Sequence, residues 1–230
     1  MLPVASVLVD FDGTACSHDV AVDLLEHFGD PSWLELDEAA ERGEIGAREN
    51  ISAEATMLRA PLEELTAFVL EHCELDPTFP PFVRWLQAEH VPVTIVSDGF
   101  GFYIPPLLEA AGLHDIGVVT NTWRPEADER IAFGSAHAEC VGCGTCKMNV
   151  VLTARARGRV AFVGEGSSDR FAALYADVVF AKDVLVGIAT ADGVPFVPWD
   201  TFDDVRAHLE GGGEIPGPVN PDRCPGWRIA

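Results

Sequence analysis

Two carboxylates one residue apart, Asp10 and Asp12, directly follow an apolar segment at residues 4–9. The segment contains three valines and predicts a strand buried on both faces of a parallel sheet. In an open α/β sheet the binding edge lies at the carboxyl ends of the strands, so both acids are expected there. Carboxylates this close repel each other unless a cation or a shared proton separates them. Taken alone, such a pair more often marks a turn that caps the next helix. A catalytic role is therefore predicted only if matching motifs occur later in the chain.

Two further groups of polar residues follow apolar runs. Ser97, Asp98 and Gly99 come after the first run, and a loop that contains Glu165 and Asp169 comes after the second. In a parallel sheet both groups would lie at the edge that carries the first two acids. Together they offer a hydroxyl and turn N–H groups for phosphate oxygens, and carboxylates for Mg²⁺ or for attack on phosphorus. The sequence therefore predicts phosphoryl transfer.

Lys147 supplies a cation between these two groups, at the start of a predicted helix. The chain contains only two lysines, Lys147 and Lys182, against thirteen arginines, so an ordinary solvated cation would usually be Arg. A compact ammonium can contact a phosphate and a carboxylate within a narrow site. In isolation a helix-surface lysine is the better interpretation, but its position between the other motifs favours a functional role.

Periodicity and turn signals predict the elements that must position these groups. Helices are predicted over residues 20–28, 31–40, 46–58, 62–72, 79–90, 101–111, 146–157, 168–175 and 201–209. Strands are predicted over residues 91–96, 116–120, 159–163 and 178–181 after the first one, with residues 130–133 as a hairpin partner. Strands that alternate with helices in this way predict an α/β fold with a doubly wound parallel sheet.

Four helices in succession after the first strand predict a small helical insert in this sheet domain. The predicted division is a catalytic core at residues 1–17 and 76–210 and a helical cap at residues 18–75. A Gly/Pro-rich tail without a core of its own follows at residues 211–230.

Composition limits the partners of the chain. Its 230 residues carry a net charge of −22, which disfavours binding to nucleic acid and to anionic membranes. An anionic substrate therefore needs a local cation. The amino-terminal apolar run has no preceding Lys or Arg and leads directly into the acidic motif, so a signal peptide is not expected and the cytoplasm is the predicted location.

The motifs, in their order, resemble the haloacid dehalogenase superfamily of phosphatases. The resemblance covers residues 4–210 and is carried by DFDGT at residues 10–14, Ser97, Lys147 and GEGSSD at residues 164–169. The helical insert resembles the C1 cap of the subgroup that contains phosphoserine phosphatase. The resemblance implies a Mg²⁺-dependent phosphomonoester hydrolase that acts on a small phosphorylated metabolite through an aspartyl-phosphate.

This resemblance also implies roles for single residues. Asp10 would be the nucleophile, Asp12 the acid and base, and Lys147 the stabilising cation. Ser97 and the N–H groups of Asp98 and Gly99 would bind the phosphate. The implied metal set is Asp10, the Asp12 carbonyl, Glu165 and, through water, Asp169. The family usually has Asp where this chain has Glu165, whose side chain is one methylene longer. The alternatives are a slightly shifted loop that still allows Mg²⁺ binding, a weakened metal site, or loss of catalysis, and an active enzyme is favoured because every other element is intact.

The chain also has a Cys-rich stretch directly before Lys147 and the motif FAKD at residues 180–183. In these features it more closely resembles the methionine-salvage phosphatases that act on 2-hydroxy-3-keto-5-methylthiopentenyl phosphate. Asp19 is similar to theirs, whereas phosphoserine phosphatases usually have Glu there to face the substrate amine; Asp19 can equally be a helix N-cap. Substrates of the phosphoserine, phosphoethanolamine or phosphocholine type, or a non-catalytic metal-binding role, are the alternatives. Glu44 and Arg48 are expected to form a solvated pair rather than to line the cleft.

A Cys-rich stretch precedes Lys147 and includes His137, Cys140, Cys143 and Cys146. Structural thiols are the first interpretation, a Zn²⁺ site the second and a regulatory disulfide the third, because one short loop seldom wraps four ligands around one metal. The other three cysteines are interpreted as isolated core or surface residues.

Overall fold

The computed structural model describes residues 2–226, so residue 1 and residues 227–230 of the predicted tail lie outside the described part. Its elements in chain order are β1 (Ser6–Val9), α1 (Val20–Phe28), α2 (Trp33–Glu41), α3 (Ala47–Met57), α4 (Leu62–His72), α5 (Phe79–Ala88), β2 (Val93–Val96), α6 (Ile104–Ala110), β3 (Gly117–Val119), β4 (Thr122–Trp123), β5 (Ile131–Ala132), α7 (Lys147–Arg155), β6 (Val160–Gly164), α8 (Arg170–Ala173), β7 (Val178–Ala181), α9 (Asp183–Asp192), β8 (Val197–Pro198) and α10 (Phe202–Glu210).

Six strands form one parallel sheet in the order β3-β2-β1-β6-β7-β8. The register pairs Val9 of β1 with Ile95 of β2 on one side and with Val163 of β6 on the other. The predicted doubly wound parallel sheet is therefore confirmed. The chain leaves β1 for β2 on one side and later returns to β6 on the other side, and such a switch point opens a crevice at the carboxyl ends of the strands.

Strand β1 is buried on both faces, as predicted. Val7 and Val9 pack in one apolar cluster with α5, α6 and α10, whereas Leu8 packs in a second cluster with α7, α8 and α9. This alternation follows from the two-residue period of a strand. Burial on both sides fixes the position of the residues that come directly after Val9.

We call the four helices α1 to α4 the cap. Asp19 caps α1, since its carboxylate accepts a hydrogen bond from Val22 N at 3.0 Å, and α4 has the predicted bounds. The chain crosses between core and cap at residues 15–19 and 72–76, and we call these segments the crossings. They are joined by an isolated antiparallel bridge between Cys16 and Leu75. The predicted boundaries of the cap, residues 18 and 75, fall within these crossings, and the division into two domains stays a prediction.

Three elements, β4, α9 and β8, were not predicted. Residues 130–133 were expected to pair with the strand at residues 116–120, but β3 pairs only with β2 among the described strands, and β5 pairs antiparallel with β4 instead. Helix α9 was not predicted, because its sequence DVLVGIATAD contains β-branched residues and Gly187, which are poor helix formers. Packing of Leu185 and Ala189 in the core holds it in place. Strand β8 has only two residues, which is too short for a periodic signal.

The tail packs on the core over its described residues. Gly217 N donates to Asp177 O at 2.9 Å, and Asn220 N donates to Leu174 O at 2.8 Å. These hydrogen bonds agree with the prediction that the tail has no hydrophobic core of its own, because they attach it to the sheet domain. Within residues 2–226, no helix has the length and apolar character needed to cross a bilayer.

Candidate active site

Lys147 lies between two carboxylates at the carboxyl edge of the sheet. Its Nζ is 2.6 Å from Asp10 Oδ1 and 2.7 Å from Asp169 Oδ1, and it donates to Ser168 Oγ at 2.9 Å. Only 2% of the Lys147 side chain is exposed. A buried ammonium with three such partners is fixed in position, so the predicted meeting of the first acid, the lysine and the late acidic loop is observed.

Electrostatics keep this lysine charged. Burial opposes the charge of Lys147, but the carboxylates of Asp10, Asp169 and Asp98 outweigh it and raise the pKa of the ammonium. An ion pair of this kind in a water-poor site interacts far more strongly than one at the surface. The site therefore holds a permanent cation beside Asp10.

Asp12 is held by neutral donors. Its Oδ2 accepts hydrogen bonds from Tyr103 Oη at 2.9 Å and Ser97 Oγ at 3.3 Å, and its Oδ1 accepts one from Val20 N at 3.1 Å. Burial and the nearby Asp19 carboxylate raise the pKa of Asp12 to about 7, although the hydrogen bonds oppose this shift. A carboxyl group with this pKa can both give and take a proton near neutral pH.

The loop after β2 presents donors at the same edge. Gly99 N donates to Ser97 Oγ at 3.0 Å, and a Cβ at Gly99 would overlap the Tyr103 hydroxyl, so only glycine fits there. The side chain of Asp98 turns away to accept the Thr145 N–H. In this loop Asp98 thus ties the segment before α7 to β2, which helps to place Lys147.

The acidic loop after β6 contains two different carboxylates. Both oxygens of Asp169 are used by protein groups, because Oδ1 contacts Lys147 and Oδ2 accepts hydrogen bonds from the N–H groups of Glu165 and Gly166. The Glu165 carboxylate accepts no hydrogen bond from the described residues and lies against Gly13, where a Cβ would come within 3.0 Å of its Cδ. Gly13 therefore leaves the space that the longer Glu side chain occupies.

The charge balance of this loop suits a cation. Burial and the carboxylates of Asp169, Asp183 and Asp19 raise the pKa of Glu165 to about 7. Asp10, Asp12 and Glu165 offer oxygen ligands, and the single ammonium of Lys147 does not neutralise their combined negative charge. Hard divalent cations prefer sites of this kind. These residues fit Mg²⁺.

A cleft between core and cap opens above the acids. The described residues that line it are Asp10, Asp12, Asp19, Ala21, Val22, Leu25, Asp37, Ala47, Asn50, Ile51, Glu54, Asp98, Gly99, Glu165, Gly166, Ser167 and Ser168. None of these lining residues is Arg, Lys or His. Asp19 thus has two roles, since it caps α1 and also borders the cleft.

Two polar cap residues are buried at this cleft. Asn50 Nδ2 donates to Asp37 Oδ1 at 3.1 Å and to Glu54 Oε1 at 3.0 Å. With both N–H groups engaged, Asn50 Oδ1 is left without a hydrogen-bond partner among the described residues, and Asn50 is 6% exposed. A buried acceptor without a donor is costly unless a ligand supplies one.

Glu54 gives the first testable prediction. Burial and Asp37 raise the pKa of Glu54 to about 7 in the folded chain, whereas an unfolded Glu titrates near 4.3. The folded state then binds more protons between these values, so its stability falls as the pH rises through this range. We expect Glu54→Gln, which keeps the oxygen acceptor, to raise the free energy of unfolding by on the order of 2 kcal/mol at about pH 8 and to change it little at about pH 4. Chemical denaturation at both pH values measures this, and an equal difference at the two would contradict it.

The expected pair of Glu44 and Arg48 is wrong. Glu44 pairs with Arg42 at 2.8 Å, and Arg48 Nη2 donates to the carbonyl oxygens of Cys140 at 2.6 Å and His137 at 3.1 Å. Arg48 therefore fastens cap helix α3 to the Cys-rich stretch of the core. Helical spacing indicates which residues share a helix face, but it does not show a carbonyl acceptor ninety residues away.

The Cys-rich stretch lies beside Lys147, and a further cysteine from the tail packs against it. A small cavity of about 10 Å³ is bordered by His137, Cys140, Cys143, Cys146 and Cys224, among others. Cys224 was interpreted as isolated, which is wrong, because the tail brings it to this cavity. Burial raises the pKa of Cys143, Cys146 and Cys224.

Sequence reasoning also missed Tyr103 and Asn121. Tyr103 donates to Asp12, and Asn121 Nδ2 donates to Asp98 O at 2.7 Å. Both residues come after the Ser97 loop in the sequence, and their roles become visible only when the fold places Tyr103 beside Asp12 and Asn121 beside Asp98. Nothing in the spacing alone distinguishes Tyr103 from a core aromatic residue.

The sequence matches one protein-family model and is similar to proteins of known function. Residues 7–174 match the model of the haloacid dehalogenase-like hydrolase family. The chain is 29% identical over 215 residues to the 2-hydroxy-3-keto-5-methylthiopentenyl-1-phosphate phosphatase of Bacillus velezensis, and the match covers 91% of each chain. It is 31% identical over 209 residues to the protein of the same name from Geobacillus thermodenitrificans, over 87% of this chain and 93% of the relative.

Solved structures show the same fold. A phospho-aspartyl intermediate analogue of phosphoserine phosphatase matches with a TM-score of 0.65 at 15% identity, covering 90% of this chain and 98% of that chain. A substrate-bound phosphoserine phosphatase matches with a TM-score of 0.66 at 13% identity, covering 89% and 98%. At this level of identity the likeness concerns the fold.

Proposed function

The chain belongs to the haloacid dehalogenase-like hydrolase family and is a phosphatase, and on that premise we propose that it hydrolyses a small phosphate monoester through an aspartyl-phosphate at Asp10. One observation carries the assignment of the nucleophile. Asp10 is buried at the end of the central strand, and its Oδ1 lies 2.6 Å from the Lys147 ammonium. Burial and the Asp169 carboxylate raise the pKa of Asp10, whereas the Lys147 ammonium opposes this shift and so favours the ionised carboxylate that attacks phosphorus. The same cation would stabilise the charge that the phosphoryl group brings.

Asp12 is the proposed acid and base. It would first protonate the leaving alkoxide, so that the phosphoryl group stays on Asp10, and then accept a proton from the water that hydrolyses the aspartyl-phosphate. Tyr103 and Val20 N hold its carboxyl group in one orientation. Ser97 Oγ and the N–H groups of Asp98 and Gly99 are proposed to bind the phosphate oxygens.

Asp10, the Asp12 carbonyl and Glu165 are the residues that would hold Mg²⁺. The bound ion would neutralise phosphate charge at a site whose charged lining side chains are all acidic. Asp169 is proposed to act mainly by orienting Lys147 and the acidic loop, because both of its oxygens are already engaged.

Glu165→Gln tests the metal assignment. The amide keeps the shape of the side chain but loses the charge, so we expect the Mg²⁺ concentration for half-maximal activity to rise at least about tenfold. Phosphate release measured across a Mg²⁺ titration gives this value. Glu44→Gln, which changes an exposed acid that pairs with Arg42, serves as the control and should leave the titration unchanged. A Glu165→Gln curve that overlays that of the wild type would remove Glu165 from the metal set.

The cleft supports a substrate of the kind named for the relatives, a 2-hydroxy-3-keto-5-methylthiopentenyl phosphate. The cap contributes apolar groups, among them Val22, Leu25 and Ile51, which suit an alkyl thioether end. The free Asn50 Oδ1 offers an acceptor for a substrate hydroxyl. By contrast, the lining offers no basic side chain for the carboxylate of phosphoserine.

A substrate panel tests the proposal. Phosphate release from the methylthiopentenyl ester, phosphoserine, phosphoethanolamine and phosphocholine would be measured with Mg²⁺ and with chelator. We expect kcat/KM for the methylthiopentenyl ester to exceed that for phosphoserine at least about 100-fold, because an unpaired carboxylate is strongly rejected by an acidic cleft. A preference for phosphoserine would favour the activity of the structural neighbours instead. A protein that holds stoichiometric zinc and releases no phosphate from any ester would favour a non-catalytic metal-binding role.

For the Cys-rich stretch we propose structural thiols. The raised thiol pKa values disfavour the reactive thiolate that a redox switch needs. Zn²⁺ at His137, Cys140, Cys143 and Cys146 is the second candidate; in the described part of the chain these residues do not bring three ligand atoms within 4.8 Å of one another. A cytoplasmic location stays a prediction from the sequence.

A further inference from the structure

Metal-ligand geometry occurs at the crossings, not at the Cys-rich stretch. In the described chain one group of His, Cys and carboxylate ligand atoms lies within 4.8 Å of one another, and it consists of His18, Asp23 and Cys73. His18 belongs to the first crossing, Asp23 to the first turn of α1, and Cys73 to the second crossing. The first crossing with the start of α1 and the second crossing therefore meet at this point.

The distances suit a tetrahedral metal. His18 Nδ1 lies 2.9 Å from Asp23 Oδ2, and Cys73 Sγ lies 3.6 Å from the same oxygen. Ligand atoms around a tetrahedral zinc are about 3.3–3.8 Å apart, as follows from the bond lengths of about 2.0–2.3 Å. The three side chains thus converge to nearly the spacing that a bound ion imposes, without a rearrangement of the backbone.

A simple ion pair between His18 and Asp23 accounts for two of the three residues. It does not account for Cys73, which is 3% exposed and directs its thiol to the carboxylate that the imidazole already contacts. Imidazole, thiolate and carboxylate are the three ligand types of zinc sites in proteins, and the Cys73 thiol would release its proton to solvent when the metal binds. Sulfur and nitrogen ligands also select zinc over magnesium, which separates this group from the oxygen ligands around Asp10.

The surroundings leave room for a fourth ligand. An open pocket lies against the group and is bordered by His18, Asp23, Glu26, His27, Phe68 and His72. Solvent therefore reaches the His18 and Asp23 side of the group, where water can complete the coordination. The net charge of −22 favours the approach of a cation.

We propose that His18, Asp23 and Cys73 form a binding site for Zn²⁺ or a similar borderline-soft divalent cation that joins the two crossings of the cap. A metal bound there connects the start of α1 to the end of α4. It would fasten to each other the two segments that link cap and core, at a place separate from the carboxylates around Lys147.

Metal titration of the full-length protein tests this site. Chelator-treated protein would be titrated with Zn²⁺ or Co²⁺ in excess Mg²⁺, which competes for the oxygen ligands at the acidic loop. We expect a Co²⁺ spectrum with thiolate-to-metal charge transfer, one zinc per chain retained at this site, and a higher Tm with zinc. His18→Ala and Cys73→Ser should each weaken zinc binding at least tenfold.

A triple variant with Cys140→Ser, Cys143→Ser and Cys146→Ser is the matched control, because it removes the competing thiols and leaves the group at the crossings intact. It should keep the zinc affinity and the thiolate signal. Cys73→Ser changes a buried residue and can affect folding. His18 is partly exposed, so His18→Ala provides a second test, and circular dichroism checks the fold of each variant. Unchanged zinc affinity in His18→Ala, loss of zinc in a triple variant that circular dichroism shows to be folded, or no zinc binding by the wild type would each overturn the proposal.

Discussion

Asp10→Asn is expected to abolish turnover, with a decrease in kcat of at least about 10⁴-fold. The amide has nearly the same shape, but it is a poor nucleophile and cannot form the aspartyl-phosphate. Its oxygen can still accept the hydrogen bond from Lys147, and Lys147 keeps Asp169 at 2.7 Å. The fold should therefore survive. Steady-state phosphate release with saturating substrate and Mg²⁺ measures the effect.

Asp203→Asn is the matched control, because it makes the same chemical change at an exposed position in the first turn of α10. It should retain the activity of the wild type. If Asp10→Asn folds and keeps more than about one-tenth of kcat, Asp10 is not the nucleophile.

Lys147→Met is expected to lower both activity and stability. Removal of the cation leaves Asp10 and Asp169 as buried carboxylates without their partner, and loss of one member of a buried ion pair typically costs about 3–5 kcal/mol. The transferring phosphoryl group loses a fixed positive charge as well, so kcat should fall at least about 10³-fold. Denaturant unfolding and phosphate release on the same preparation measure both effects.

The chain offers Lys182→Met as a control, because Lys182 is its other lysine and lies over the Trp199 ring at 4.3 Å. Loss of that contact should cost no more than about 1 kcal/mol. Lys147→Arg keeps the charge but has a wide planar head in place of a compact ammonium, so it should be more stable than Lys147→Met and still have low activity. A Lys147→Met protein as stable as the wild type would contradict the ion-pair account.

Much of the fold could be predicted from local patterns. The apolar run before Asp10 predicts a strand buried on both faces, and the cap helices carry N-cap and proline signals such as Asp19. Because parallel strands end at one edge, the sequence also predicted that Lys147 meets Asp10 across 137 residues. Helix α9 could not be predicted in this way, since its local preferences oppose a helix and only packing against the sheet stabilises it.

The missed site residues have a common physical cause. Tyr103, Arg48 and Cys224 act through contacts with residues that are remote in the chain, and their neighbours in sequence give no periodic signal. The same holds for His18 and Cys73, whose pairing depends on where the two crossings lie side by side. Sequence patterns identify which groups reach the sheet edge, whereas the packing of cap on core decides what surrounds them.

The most direct test of the account is to trap the phosphoryl group on the enzyme. Acid quenching during turnover of the methylthiopentenyl ester, followed by peptide mass spectrometry, locates any residue that carries phosphate. We expect a phosphoryl group on Asp10, present in the wild type and absent from Asp10→Asn. A phosphoryl group found instead on Asp12, Ser97 or another residue would contradict it.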